Sequence, residues 1–266
     1  MSIKRDTSER RSQISAMVRE RGSVQVADLA KRFRVSMQTI RKDLHFLTER
    51  GVTARSYGGA IASDVVATPM GAPMGAIESP VAAKLELQHA EKERIGRYAA
   101  GLIKPGDSIV LDSGTTTLQI ARFLPDIEDL TVVTNDFNIL TELTGKNHIR
   151  VVMIGGELRR KNMAFYGAQT VAALSELAVD KLFLGVDGID LERGVTTHHE
   201  AEAMLNRKMA EVARQTIAVT DSSKFGRVCL HRIIGVGEVD MLVTDEAAPE
   251  AVATACRALG VDLRQA

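Results

Sequence analysis

The run Leu111-Asp112-Ser113-Gly114-Thr115-Thr116-Thr117 sets a carboxylate, a serine, a glycine and three threonines between an apolar segment and a helix-sized one. That order suits capture of an anion. A glycine lets the backbone approach a ligand closely, and the first N–H groups of the following helix lack intrahelical partners and point at whatever sits before them. The threonine hydroxyls add donors. No G-x-x-x-x-G-K-[ST] pattern accompanies the loop, so it is not a nucleotide-triphosphate cradle; the same residues taken singly also serve as helix caps. Further polar groups follow other apolar runs: Asn135 and Asp136, then Asp187, then Asp221-Ser222-Ser223-Lys224. Lys224 complements a phosphate as a point charge, while Asn135 and Asp187 suit sugar hydroxyls. The expected ligand-binding set is therefore Asp112, Ser113, Gly114, Thr115, Thr116, Thr117, Asn135, Asp187 and Lys224, suited to an anion that also carries hydroxyls.

A second group lies near the N-terminus. Gln38, Arg41 and His45 fall on one face of a helix-sized segment whose other face carries Ile40, Leu44 and Leu47. Arginine pairs bidentately with guanine and glutamine with adenine in a major groove. Ser36, Thr39 and Lys42 suit phosphates, which position a protein on a duplex without reading its sequence. Arg55, in a short β-prone segment, reaches for backbone or minor groove as a wing does. The expected DNA-binding set is Ser36, Gln38, Thr39, Arg41, Lys42, His45 and Arg55. His198, His199, Glu200 and Glu202 form the one cluster that invites a metal, but with no cysteine or further histidine beside them a helix start with surface charges explains them better. No metal and no cofactor is expected.

These residues need two kinds of scaffold. In the N-terminal part, Glu9 to Arg21, Val26 to Phe33 and Met37 to Glu49 have helical spacing, with Gly22 and Gly51 as stops. Ser36 is a good cap for the third helix, Ala30 is small where two helices would cross, and Val35 fills the turn. A hairpin over Val52 to Gly59 follows. Residues 60–83 hold three of the six prolines and only two charged side chains, and read as a linker. From Lys84 a helix runs to Ile103. Beyond it, short apolar runs at Ile109–Leu111, Leu130–Thr134, Val151–Ile154, Lys181–Val186, Thr216–Thr220 and Met241–Thr244 alternate with helical stretches, among them His199 to Arg214 and Pro249 to Leu259. That alternation predicts an α/β fold with a largely parallel sheet buried on both faces. The expected domains are residues 1–60, a linker over 61–83, and 84–266. Ligands in such sheets sit outside the carboxyl ends of the strands.

Charge is divided in the same way. The 266 residues carry 34 basic and 34 acidic side chains, yet residues 1–60 hold 13 Lys and Arg against 6 Asp and Glu. A basic head on an acidic body suggests that the head alone meets a polyanion. Two distant cysteines, Cys229 and Cys256, argue against a disulfide framework and for a reducing cytoplasm. No apolar run approaches the length of a membrane span, and the polar first residues hold no secretory signal.

The segment Val26 to Ala60 resembles the DNA-binding signature of the DeoR family of bacterial repressors. Val35 to Leu44 matches its recognition helix "V-S-x-x-T-I-R-x-D-L", and Gly51 to Ala60 its wing "G-x-x-x-R-x-Y/H-G-G-A". From about Glu91 to Gly237, DSGTTT, VVTND, IGGELR, LFLGVDGID, GVTTHHEAE and VTDSSKFG resemble its sensor motifs. The resemblance implies a winged helix-turn-helix joined to an α/β sensor like ribose-5-phosphate isomerase. It further implies repression of a carbohydrate catabolic operon, relieved when a phosphorylated sugar binds the Gly-Thr-Thr loop. Double-stranded operator DNA, the sugar effector and further copies of the chain, as dimer or tetramer, are the expected partners; a membrane is not. One departure is Met163 to Gly167, where many members carry a serine near Ala164 or Phe165. The alternative reading is a sugar-phosphate isomerase fused to a DNA-binding head. Its acidic motif would read Asp-Gly-Ala-Asp-Glu, whereas Asp187-Gly188-Ile189-Asp190-Leu191 lacks the last carboxylate, and proton abstraction needs a positioned base. The chain is therefore expected not to be an enzyme.

Overall fold

The computed structural model describes residues 7–21, 23–49, 53–56, 59–62, 78 and 81–266. These fall into two compact units. In the first, the helices are α1 (Thr7–Arg21), α2 (Val26–Phe33) and α3 (Met37–Glu49), and the strands are β1 (Ser23–Gln25), β2 (Thr53–Ser56) and β3 (Gly59–Ala62). Ile14, Val18, Leu29, Phe33, Ile40, Leu44 and Leu47 form its core, as their helical spacing predicts. Two features were not legible. Ser23–Gln25 forms a strand, and β3 continues past Ala60 to pair with it, Ser23 opposite Ile61. The hairpin thus supplies the central and one edge strand of a three-stranded sheet in the order β1-β3-β2. A buried ion cluster also joins α1 to α3. Asp43, 1% exposed, accepts from Arg10 Nε at 2.7 Å and Arg11 Nε at 2.8 Å.

From residue 81 on, α4 (Val81–Glu86) and α5 (His89–Ala100) stand in place of the single expected helix. The break falls at Gln88, which takes a left-handed conformation (φ 50°). Then follow β4 (Ser108–Leu111), α6 (Thr115–Phe123), β5 (Thr131–Thr134), α7 (Phe137–Leu143), β6 (Arg150–Met153), β7 (Glu157–Arg159), β8 (Ala164–Tyr166) and α8 (Ala168–Ser175). The rest comprises β9 (Val179–Gly185), β10 (Gly188–Asp190), β11 (Gly194–Thr197), α9 (Glu200–Val212), β12 (Ala213–Val219), β13 (His231–Ile234), β14 (Met241–Thr244), α10 (Glu250–Leu259) and β15 (Asp262–Gln265).

Seven strands form one sheet in the order β15-β14-β12-β9-β4-β5-β6, every pairing parallel. Alternation along the strands divides the core in two. Ile109, Leu111, Phe183, Ile217, Val219 and Val243 face α5, α6 and α7, while Val110, Leu182, Leu184, Ala218 and Leu242 face α8, α9 and α10. Removing each large apolar side chain fully from water stabilises the fold by about 1.5–3 kcal/mol. Strand order reverses between β4 and β9: the chain runs outward from β4 through β5 to β6, then returns to β4's other side. The loops leaving β4 and β9 therefore flank a crevice at the carboxyl ends.

α6, which follows β4, is set by a close crossing. A Cβ on Gly96 of α5 would lie 2.4 Å from Gln119 Cβ and 2.8 Å from the Gln119 carbonyl carbon. Only glycine permits that approach.

Candidate functional site

In the N-terminal unit the third helix begins as its sequence predicts. The Thr39 N–H donates to Ser36 Oγ at 3.1 Å, so Ser36 caps α3, and its hydroxyl also lies 2.9 Å from Thr39 Oγ1. Because Ile40, Leu44 and Leu47 face the core, Gln38, Arg41, Lys42 and His45 are left exposed and Thr39 half-buried. The sequence singled out the polar residues of this face and passed over Met37. Its side chain is 50% exposed at the first position of α3, an apolar group suited to a thymine methyl. Arg55 stands in β2, and its side chain lies outside the described residues. Behind the face, the Arg11 guanidinium stacks 3.8 Å from the Phe46 ring centre, so α3 is braced against α1 by charge and ring together.

In the second unit, the loop after β4 enters α6 at Thr115. The first-turn N–H groups of Thr115, Thr116 and Thr117 have no intrahelical acceptor. Asp112 is fully buried, and both its oxygens are engaged. Oδ1 accepts from the Ser113 N–H at 2.7 Å, and Oδ2 from the Gly185 N–H at 3.1 Å and Asn206 Nδ2 at 3.2 Å. Asp112 thus ties the β4 loop to the end of β9 and to α9. Burial drives its pKa up to about 8, against the lowering effect of the two N–H groups, with Asp136 and Asp187 adding to the rise. Asp136 caps α7 through the N–H groups of Asn138 and Ile139 at 2.6 and 3.1 Å, and burial raises its pKa to about 6. Both shifts run toward the neutral acid, the direction that lessens the repulsion clustered carboxylates would exert on an anion.

The expected residues are distributed as follows. Ser113 Oγ lies 2.8 Å from the Tyr166 hydroxyl. Thr115 and Thr116 are buried at the helix start. Thr117 turns its hydroxyl back onto the Gly114 carbonyl at 2.9 Å. Asn135 is buried and donates to the Phe165 carbonyl at 2.9 Å; its Oδ1 and that of Asn206 have no hydrogen-bond partner among the described residues. Asp187 accepts from Thr197 Oγ1 at 3.1 Å. Lys224 ends a short turn after β12, which Asp221 caps through the Ser223 N–H. A bridge between Ile189 and Phe225 sets that turn beside β10, near Asp187 in the chain. Gly188 is required here, since a Cβ would lie 2.6 Å from the Arg227 carbonyl oxygen.

Sequence reasoning missed the groups that arrive from distant elements: Tyr166 on β8, Asn162 before it and Asn206 on α9. Asn162 Nδ2 donates to the Tyr166 hydroxyl at 2.5 Å. The loop in which a serine is absent still brings a hydroxyl to the site, through Tyr166. Ala164 itself is wholly buried in the core, and reciprocal bonds of 2.9 Å between Asn135 and Phe165 hold β8 against the end of β5. The one signal in the sequence was a lone tyrosine beside a glycine. Asp190, which in the isomerase reading would move protons, instead accepts from the Glu192 and Arg193 N–H groups at 3.0 and 2.9 Å and shapes the β10–β11 turn. His199 lies with its ring centre 6.1 Å from that of Tyr166, and burial lowers its pKa.

Comparison with known proteins agrees with both halves. The sequence matches a DeoR-like helix-turn-helix domain over residues 10–65 and the DeoR C terminal sensor domain over 87–246. A putative aga operon transcriptional repressor of Escherichia coli O157:H7 is 46% identical over 257 residues, covering 97% of this chain and 93% of the relative. The glycerol-3-phosphate regulon repressor of Escherichia coli K12 is 32% identical over 244 residues, covering 92% and 93%. A solved D-ribose-5-phosphate isomerase overlaps 52% of this chain and 54% of its own, at 17% identity and a TM-score of 0.39. No helix among the described residues is long and apolar enough to cross a membrane. With both domain matches and a relative aligned along nearly its whole length, the chain belongs to the DeoR family.

Proposed function

We propose that this protein is a transcriptional repressor of a sugar-catabolic operon whose DNA binding is relieved by a phosphorylated sugar. The observation that carries the reading is the built polar site where strand order reverses. The β4 loop there combines first-turn N–H groups for a phosphate with buried polar groups able to take sugar hydroxyls. In this reading the phosphate meets the N–H groups and hydroxyls of Thr115 and Thr116. Asn135, Asp187 and Asn206 take hydroxyls, and Lys224 balances charge. Asp112 acts by fixing the loop. Gln38, Arg41 and His45 read base edges, with Ser36, Thr39, Lys42 and Arg55 on the backbone. Paired half-sites call for at least a dimer. Effector binding shifts the population competent for DNA, and the coupling between the two sites is reciprocal. The names of the aga operon and glycerol-3-phosphate regulon repressors support this assignment. Binding without turnover is favoured over isomerisation, because Leu191 supplies no carboxylate and Asp190 is committed to its turn.

A thermal-shift screen against phosphorylated and unphosphorylated sugars tests the sensor. A ligand at a hundredfold excess over Kd stabilises the native state by about 2.7 kcal/mol. A shift selective for one sugar phosphate, reduced in Thr115→Val, is expected. No shift with any phosphate would overturn this account of the sensor.

A further inference from the structure

Residues 60–83, which join head to sensor in the sequence, carry only two charged side chains, Asp64 and Glu78. Glu78 is not solvated; its side chain is 5% exposed. Oε1 accepts from one guanidinium nitrogen of Arg159 at 2.8 Å, Oε2 accepts from the other, and Lys161 Nζ stands 3.3 Å from Oε2. Three residues on, the Val81 N–H donates to the Lys161 carbonyl at 3.0 Å. Burying a carboxylate costs several kcal/mol unless such donors repay it, so Arg159 and Lys161 form an oxyanion site and Glu78 fills it. A planar guanidinium fork donates to a carboxylate or a phosphate with the same geometry.

The location gives this site its meaning. Arg159 is on β7, whose partner strand β8 carries Tyr166, with Glu157 opposite Tyr166 and Arg159 opposite Ala164. The Tyr166 hydroxyl touches Ser113 in the β4 loop. The charge of Arg159 is felt by Tyr166 and by His199, whose ring lies beside Tyr166. One short hairpin therefore links the oxyanion site to the proposed effector loop.

We infer that Arg159 and Lys161 are a second subsite for an oxyanion of the effector, occupied in the ligand-free state by the Glu78 carboxylate. The inference rests on the effector reading above. An effector oxyanion displaces Glu78 and releases the second tie at Val81, so occupancy of the sensor is reported to the segment that leads to the DNA-binding head. Glu78 is thus an internal competitor. A latch closed about 90% of the time weakens the apparent affinity about tenfold.

The test uses the full chain and inorganic phosphate, with acetate as a second oxyanion. Calorimetric titration of Glu78→Gln is expected to give phosphate binding about tenfold tighter than in the unmodified protein. Arg159→Gln in the same background removes that gain. Hydrogen exchange supplies a measurement on the unmodified chain, where the Val81 amide is expected to exchange faster at saturating phosphate. Acetate in place of phosphate is expected to accelerate that exchange too, since the fork takes either oxyanion, and an exchange that neither anion changes would overturn the subsite. Equal or weaker phosphate binding in Glu78→Gln, or unchanged Val81 exchange at saturation, overturns the subsite. If Thr115→Val abolishes phosphate binding while Arg159→Gln leaves it intact, the effector loop stands and this subsite falls. If phosphate binds none of the variants, both fall.

Discussion

Asp43→Ala is expected to unfold the DNA-binding head and leave the sensor folded. Asp43 sits inside the α1–α3 contact at 1% exposure and accepts from two arginines. The two arginines differ in what they lose. Arg11 keeps 26% of its side chain exposed and retains the Phe46 ring, so it rehydrates cheaply. Arg10, at 8%, is left as a buried cation with no counter-charge from Asp43. Removing one partner of a buried pair costs about 3–5 kcal/mol. A core of this size supplies roughly 3–5 kcal/mol in all, so the loss is enough to melt the unit. Arg11→Met, by contrast, is expected to cost about 1 kcal/mol or less. Because the two units need not melt together, the assay is hydrogen exchange resolved by segment, following the α3 and β9 amides separately. The variant should lose protection in α3 and keep it in β9. Pairing Asp43→Leu with Arg10→Met should restore α3, since apolar replacement of a buried pair is often neutral or better. Wild-type α3 protection in Asp43→Ala would refute the reasoning, for it would mean that Arg10 finds water or another acceptor at little cost.

Three further outcomes are expected. Burial pushes the Asp112 carboxyl up to about 8 from the 3.8 of a solvated aspartate, so the native state binds the extra proton and stability of the second unit falls as pH rises from about 4 to 8. The limiting slope is about 1.4 kcal/mol per pH unit; Asp136 adds to it only up to about pH 6. Denaturant melts across that range should show a shallower fall in Asp112→Asn, and an unchanged slope would assign the proton elsewhere. Gly96→Ala forces a methyl against the backbone of α6, and is expected to cost about 1–3 kcal/mol in chemical denaturation and to weaken sugar-phosphate binding by displacing the helix start; a variant as stable as the parent would show that α5 moves freely. Arg41→Ala, on the exposed face of α3, should leave stability within about 0.5 kcal/mol yet weaken specific DNA binding by about 1–3 kcal/mol. An unchanged operator footprint at matched salt would count against the reading face.

What the sequence revealed follows from the range of each signal. The helices Val26–Phe33 and Met37–Glu49 were legible to the residue because periodicity, a serine cap and glycine stops agree locally. The main strands were legible because a strand covered on both faces is continuously apolar, although β9 and β12 begin earlier than their apolar runs, at Val179 and Ala213. The short strand Ser23–Gln25 was hidden because three residues carry no period. The partner of β1 lies at Gly59–Ala62, beyond any local window. At the candidate site, residues following apolar runs were visible as punctuation. Tyr166, Asn162 and Asn206 were not, since what makes them part of the site is the hairpin β7–β8 and the path of α9, both tertiary. Glu78 looked like a linker residue, and only the position of Arg159 revealed its burial.

The reversal of strand order at β4 also bears on how the chain is made. β4, β5 and β6 are synthesised first, yet the other edge of β4 belongs to β9, which begins at Val179. Until that segment leaves the ribosome, the growing chain exposes an apolar strand edge, a template for mispairing with another copy. The crevice does not exist before β9 docks, because one of its walls is missing. A chain cut short before Val179 would therefore lack one wall of the crevice and keep that edge of β4 open to mispairing.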